Sequence, residues 1–177
     1  MLRGEIGAFG FQAGLRGEYI ERTVEFADTS KVFSIDRVDL FPTLHTSFKI
    51  SATQQIMASY TRRIQRVRGW HLEPFLTWMD AYNVRRGNPD LQPEYIDSWE
   101  LGYQTDIGDN MFSVEGYHRV VHDKIEHVRT VYRDNITLRT SENVGMSASS
   151  GVELMLNVDP VDMWDVYLLG NLYNYEG

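Results

Sequence analysis

The chain has 177 residues, a formal net charge of −8 and no cysteine. The deficit of basic residues argues against a nucleic-acid partner, and the absence of cysteine excludes disulfides, thiolate nucleophiles and zinc–thiolate sites. No stretch approaches the roughly 18 consecutive apolar residues of a transmembrane helix. The chain is long enough for one sizeable domain, and the pattern of its apolar residues decides the class of that domain.

Apolar and polar residues alternate along most of the chain. In the first run, Leu15 and Tyr19 fall on one face, whereas Gln12, Arg16 and Glu18 fall on the other. Period 2 is the side-chain period of a β-strand. The same period predicts about seven strands and no helix, over residues 9–19, 40–50, 54–64, 95–107, 112–120, 149–158 and 164–175.

The lengths of these runs and of their connections favour a membrane-crossing sheet. The runs cover roughly 10 to 14 residues, whereas soluble strands average about 5 to 6 and a tilted membrane strand needs about 9 to 11. Short turns alternate with long polar segments; the turns are 50–53, 107–110 and 159–163, and the long segments are near 20–38, 65–93 and 123–147. Short turns at one end and long loops at the other are typical of transmembrane barrels.

Aromatic residues are placed at both ends of the predicted strands. Phe48, Phe112 and Trp164 lie beside the short turns, and Tyr19 and Trp99 lie near the long segments. Two aromatic belts mark the two interfaces of a membrane. The sequence therefore predicts an all-β, antiparallel, up-and-down transmembrane β-barrel segment, with polar residues toward a hydrated lumen and apolar residues toward outer-membrane lipid.

About seven strands leave two open edges, which a membrane does not tolerate. We therefore expect residues 1–177 to be a partial outer-membrane β-barrel, with Met1 a boundary and the remaining strands elsewhere.

A motif in the second half of the chain carries a family resemblance. Residues 88–94 read NPDLQPE, and WELGYQ follows at 99–104. This pattern resembles the late-barrel motif of TonB-dependent outer-membrane receptors of Bacteroidetes-type bacteria. The residues assigned to it in a structural role are Asn88, Pro89, Leu91, Pro93, Glu94, Glu100, Gly102 and Tyr103. Similar stretches occur at 14–18, 59–64, 112–119, 143–145 and 150–154.

The resemblance implies a 22-stranded barrel filled by a plug domain, in the outer membrane of a Gram-negative bacterium. Such a receptor imports a scarce solute with energy delivered through TonB. A signal peptide and a plug are not recognisable in the 177 residues, so the implied partners are the rest of the barrel, the plug domain and, through it, the TonB energy-coupling complex. The solute stays open between a siderophore, haem, cobalamin, a glycan and a peptide.

Three other interpretations fit the pattern. The chain could belong to an outer-membrane channel or rim-site barrel enzyme without a plug, to a soluble β-sandwich, or to a truncated remnant with no function of its own. We favour a non-enzymatic receptor without a cofactor, because the sequence has no phosphate-binding loop, nucleophile elbow or zinc-protease motif.

The segment 65–93 holds the candidate ligand-binding residues, which are Trp70, His71, Tyr82, Arg85 and Arg86. Guanidinium forks suit carboxylate and phosphate groups, and aromatic rings offer flat surfaces for sugars, chelate rings or macrocycles. The alternative is a loop packed on its neighbours, with its arginines paired to carboxylates or to lipid phosphates.

Two further clusters of charged and titratable residues are interpreted structurally. His118 and His122, near Asp123, Glu126 and His127, would stand about 13 Å apart on a strand at roughly 3.3 Å per residue, which is too far for one metal ion.

The second cluster is expected to line the lumen. Glu100, Glu115 and Glu153 share the predicted lumen face with Arg16, Arg63 and Arg119. A salt-bridge network is expected there rather than a catalytic pair of carboxylates.

Overall fold

The chain is built almost entirely of β-strands in a computed structural model that describes residues 1–25, 32–161 and 163–177. Their bounds are β1 (Leu2–Ile6), β2 (Phe9–Glu25), β3 (Val32–Lys49), β4 (Gln54–Gln65), β5 (Thr77–Trp78), β6 (Asn83–Arg85), β7 (Glu94–Ile107), β8 (Asn110–His122), β9 (Ile125–Arg133), β10 (Ile136–Asn143), β11 (Met146–Val161) and β12 (Trp164–Glu176). A single 3₁₀ turn covers Gly69–His71.

The strands form two sheets. The main sheet has eight strands in the order β1-β2-β3-β4-β7-β8-β11-β12, and all neighbours are antiparallel. The smaller sheet has the order β5-β6-β10-β9, with a parallel pair between β6 and β10. No helix in the described part of the chain is long and apolar enough to span a membrane.

The predicted all-β antiparallel fold is confirmed, and all seven predicted strands are present in the main sheet. They correspond to β2, β3, β4, β7, β8, β11 and β12. β1 and the four strands of the smaller sheet were not predicted, the latter because they lie in the segments expected to be loops. β1 pairs with Phe9–Ala13 through a tight turn at Gly7, where φ is +61°. Five residues that include Arg3 and Glu5 are too few to show a clear period of 2.

The strands extend beyond a membrane thickness on the side of the long connections. β3 has 18 residues and β2 has 17, whereas about 9 to 11 suffice to cross a bilayer. The segment predicted as a loop near 20–38 is therefore largely a paired hairpin, and its residues 26–31 lie outside the described residues. Opposite, β3 and β4 are joined by residues 50–53, and β7 and β8 by the tight turn at Gly108 (φ +62°). The predicted turn 159–163 includes residue 162, which lies outside the described residues.

The cross-strand register sorts side chains onto two faces. One row of directly paired residues crosses six strands and is apolar throughout; it consists of Phe9, Phe48, Ile56, Tyr103, Val114 and Leu154. A neighbouring row on the other face consists of Gln12, His45, Ser59, Glu100, Tyr117 and Gly151. The predicted inward and outward faces are thus kept in register from β2 to β11.

The apolar face has no protein partner. Leu101 is 62% exposed and Leu154 is 47% exposed. A soluble β-sandwich would bury this face against a second sheet. The exposed apolar face and the two open edges, β1 and β12, instead suit a sheet that lies in lipid and continues into further strands.

Candidate ligand-binding site

The two long segments, 65–93 and 123–147, fold together at one end of the main sheet. Their strands form the four-stranded sheet, in which Leu138 of β10 pairs with Val84 of β6. Val84, Leu138 and Leu91 are three of the four buried apolar side chains of the described residues; the fourth is Phe41. The paired Val84 and Leu138 therefore give these loops a buried apolar contact of their own, whereas Leu91 lines a crevice with Ile20 and Ile35 of the main sheet.

The family motif joins the two long segments to each other. The Asn88 side chain donates to the Ser141 carbonyl (3.3 Å), and its oxygen accepts from the Asp90 backbone N–H (3.0 Å). Within the segment 65–93, the Asn88 backbone N–H also donates to the His71 carbonyl (2.6 Å). Pro89 lies in the turn between Asn88 and Asp90. Leu91 follows this turn and is only 1% exposed.

The end of the motif continues this junction into β7. The Gln92 backbone N–H donates to Asn143 Oδ1 (2.9 Å), and Asn143 Nδ2 donates back to the Gln92 carbonyl (3.0 Å). Pro93 is buried after it, and Glu94 Oε1 accepts the backbone N–H of Ile125 (2.7 Å). The motif thus fixes both the entry of β7 and the start of β9.

The motif residues within β7 have different surroundings. Glu100 lies on the polar face and accepts a hydrogen bond from Ser59 Oγ (2.6 Å). Gly102 is buried on the same face, where a Cβ would lie 3.5 Å from Glu115 Oε2. Tyr103 belongs to the apolar row of the opposite face.

Four of the five candidate ligand-binding residues line one cavity of about 200 Å³ between the two long segments. They are Trp70, His71, Arg85 and Arg86. Tyr82 is not part of this lining; it is 66% exposed in the turn before β6, where its backbone N–H donates to Asp80 Oδ1 (2.8 Å). Its contact with a ligand stays a prediction.

The other wall of the cavity comes from β9 and β10, which sequence analysis did not connect with the site. It includes His127, Arg129, Arg139 and Ser141. Ser141 lies 70 positions after His71 in the chain, so no local pattern could have placed the two together. The only sequence signal was the richness of both long segments in arginine and histidine.

Two histidines share one hydroxyl in the lining of the cavity. The Nδ1 atoms of His71 and His127 lie 3.0 Å and 3.1 Å from Ser141 Oγ, and their rings stack almost parallel with centroids 5.5 Å apart. Trp70 stacks on His71 at 3.5 Å. Burial lowers the pKa of His71 below its ordinary value, and the positive charges of His127, Arg68 and Arg85 lower that pKa further.

The arginines of the cavity are free of ion pairs within the described residues. Arg85 lies over the Trp70 ring, 4.9 Å from its centroid. Arg139 Nη2 donates to Asn83 Oδ1 (3.4 Å), but its Nε is buried without a hydrogen-bond partner. The arginines near the ends of β4 behave differently, since Arg62 pairs with Asp97 (3.9 Å) and Arg66 pairs with Glu18.

The predicted salt-bridge network of the lumen is wrong for its three glutamates, since no ion pair of the described residues involves Glu100, Glu115 or Glu153. Arg16 does form an ion pair on this face, but with Glu18 (3.3 Å). Glu115 pairs directly with Glu153 across β8 and β11, and Glu153 accepts a hydrogen bond from Asn171 (3.0 Å). The register places the arginines elsewhere, because Arg119 pairs with Ser98 and Ser149 rather than with a glutamate.

The histidines considered as metal ligands diverge. His118 Nδ1 lies 2.7 Å from Ser150 Oγ, His122 Nε2 lies 3.2 Å from Asp97 Oδ2, and His127 lines the cavity. Within the described ranges, no three histidine or acidic side chains are arranged to hold a metal ion.

Solved structures with the same fold include proteins described as receptors and as an iron transporter. The siderophore receptor PirA from Pseudomonas aeruginosa matches 93% of this chain and 34% of its own, with a TM-score of 0.67 and 17% identity. The FrpB iron transporter from Neisseria meningitidis matches 98% and 24%, with a TM-score of 0.67 and 15% identity. The Serratia marcescens hemophore receptor HasR, solved with its hemophore HasA and heme, matches 96% and 30%, with a TM-score of 0.63 and 16% identity.

This chain therefore spans about a third or less of each receptor, and at these identities the likeness shows the fold alone. No protein of curated function matches it in sequence.

The family itself is shown by sequence. The profile of the family described as "Outer membrane protein beta-barrel family" matches residues 1–177, the whole chain. This match agrees with the strand lengths, with the exposed apolar face of the main sheet and with the motif at 88–104. The chain accordingly belongs to the outer membrane protein β-barrel family, and its place is the outer membrane of a Gram-negative bacterium.

Proposed function

We propose that the chain is part of a TonB-dependent receptor that imports a scarce solute across the outer membrane. The observation that carries the proposal is the pair of long loops folded around a cationic, aromatic cavity at the end of a receptor-like sheet. A passive pore has no need of a built cavity between its outer loops. The remaining strands, a plug domain inside the barrel and the TonB complex are the partners that this function requires.

We infer that Trp70, His71, Arg85 and Arg86 contact the solute as it enters. Their aromatic and guanidinium groups line one cavity and lack carboxylate partners among the described residues, which supports ligand binding over a role in loop packing alone. The similar proteins described as a siderophore receptor, an iron transporter and a hemophore receptor support a siderophore or haem as the solute. Cobalamin, glycans and peptides are less suited to a cavity of this charge.

The experiment is energy-dependent uptake by the full-length protein. A strain that lacks the gene should grow poorly when the candidate ferric siderophore or haem is the sole iron source, and the intact gene should restore growth. Uptake should stop when TonB is deleted or the proton-motive force is collapsed. Uptake that continues unchanged under both treatments would instead establish a passive channel without a plug.

A further inference from the structure

The cavity between the two long segments has the features of an anion site. Arg85, Arg86, Arg129 and Arg139 all line it, no acidic side chain lines it, and none of these arginines has an ion-pair partner in the described ranges. Four cations held together by a fold repel one another, so an anion that bound among them would relieve the repulsion.

The buried Nε of Arg139 gives a second, independent sign. A buried guanidinium N–H without an acceptor costs free energy, and such groups are rare in folded proteins. Asp80 is close enough to be affected by Arg139, but its carboxylate is held by Asn83 and the Tyr82 backbone N–H, which lower its pKa more than Arg139 does. It makes no ion pair with Arg139, so the described residues leave this guanidinium without a carboxylate partner.

The walls of the cavity select for shape as well as charge. Trp70, His71 and His127 form a stack of flat rings, and Arg85 adds a planar guanidinium over Trp70. The volume of about 200 Å³ is below the roughly 300 to 1,000 Å³ that encloses a whole drug-sized ligand. The cavity therefore suits one ring of a larger molecule.

We propose that this cavity binds a planar aromatic carboxylate group of the imported solute. The ring lies against the Trp70–His71–His127 stack, and the carboxylate accepts hydrogen bonds from Arg139 and its neighbouring guanidiniums. The inference deepens the import function proposed above and rests on it for its biological meaning, although binding by itself is measured separately from uptake.

The test is calorimetric binding of small probes to the purified full-length receptor in detergent. Benzoate should bind. Benzamide has the same shape without the charge, cyclohexanecarboxylate has the charge without the flat ring, and inorganic phosphate is a non-planar anion; each should bind at least about tenfold more weakly than benzoate. Equal binding of benzoate and benzamide, or tighter binding of phosphate, would overturn the proposal.

Variants assign the binding to this cavity. Arg139→Gln should weaken benzoate binding by about tenfold or more, because Arg139 is one of the guanidiniums that hold the carboxylate. Arg129→Gln is the second variant, since Arg129 is exposed and its replacement leaves the fold intact. Arg133→Gln is the matched control; Arg133 ends the same strand but stacks on Tyr132 outside the cavity. Benzoate affinity unchanged by both cavity variants would refute the site.

The two proposals fail in different ways. Energy-dependent uptake without benzoate binding would refute this site and leave import standing. Benzoate binding without energy-dependent uptake would establish the site and refute import.

Discussion

Single residues decide how closely the segment 65–93 can fold back on itself. The backbone of Gly87 approaches residues His71 and Glu73 so closely that a Cβ at this position would lie 2.6 Å from the Glu73 nitrogen and from the His71 and Glu73 carbonyl oxygens. Backbone atoms cannot move aside as the end of a side chain can. The glycine is therefore needed for the close approach of two parts of this segment and not for an unusual dihedral angle.

Gly87→Ala should loosen the packing within the segment 65–93 at a cost of about 1 to 3 kcal/mol, the usual penalty of overpacking. Limited proteolysis of the assembled receptor should then cut the segment 65–93 faster. Gly69→Ala is the matched control, because no atom lies within 4 Å of its Cβ position in the same segment. Equal cleavage of the two variants would contradict this account of Gly87.

The His71 side chain contacts Ser141 of the other long segment, so the docking of the two segments should be sensitive to pH. Its pKa is lowered in the folded loops, chiefly by burial, so its contribution to docking is complete above the ordinary pKa of about 6.5 and is lost as the pH falls through the lowered value. Without a bound anion, acidification should therefore loosen the loops. His71→Gln keeps hydrogen-bonding groups near Ser141 but does not titrate, so it should remove this part of the pH dependence.

Hydrogen exchange of the Arg86 amide is the direct measurement, since this N–H donates to the Arg139 carbonyl of the other long segment (3.0 Å). Its protection, corrected for the intrinsic exchange rate, should fall as the pH is lowered below about 6.5 in the wild type and change less in the variant. Identical pH profiles in the two proteins would show that His71 is not the group responsible.

At the scale of the element, the two faces of each strand tolerate different substitutions. Leu154 lies on the apolar face and Gln104 on the polar face, where it accepts a hydrogen bond from Gln55 (3.3 Å). Leu154→Arg should reduce assembly of the full-length protein, because a lipid-facing arginine near the midplane costs about 2 to 4 kcal/mol. Gln104→Arg should assemble normally, because it faces water in the lumen.

The measurement is the amount of folded, protease-resistant barrel recovered from outer membranes at equal expression. Both variants introduce the same charged side chain. A difference in their assembly therefore shows which face of the sheet each position occupies. If both assemble equally well, or both fail, the assignment of inside and outside is wrong.

At the scale of the whole molecule, the eight-stranded sheet has more apolar surface than it can cover by itself. Both edge strands present unpaired backbone groups, and β12 exposes Leu168, Leu169 and Leu172. Such edges and faces lead to aggregation in water. The 177 residues expressed alone should therefore require detergent and sediment as aggregates without it, whereas the full-length protein should form a discrete monomeric barrel in detergent. A stable monomer of the 177 residues in plain buffer would instead favour a soluble sandwich.

Much of the fold could be predicted from local pattern. Successive side chains of a strand point to opposite faces of the sheet. Because one face contacts lipid and the other contacts water, apolar and polar residues alternate along the sequence. The row from Phe9 to Leu154 lies on the apolar face. The short turns and the NPDLQPE motif are also local features. β1 was missed because five residues with two charges are too short for the same argument.

The sequence by itself therefore determined the all-β antiparallel fold, the apolar and polar faces of its strands and the outer-membrane location. It also determined the candidate residues of one wall of the cavity. Only the tertiary structure decided that two distant loops form one sheet and enclose a cavity between Trp70 and Arg139. It also decided that Glu115 faces Glu153 across two strands rather than an arginine. The physical reason is that period reports which face a residue occupies, whereas its neighbour on that face depends on the register between strands and on contacts between residues 50 to 70 positions apart.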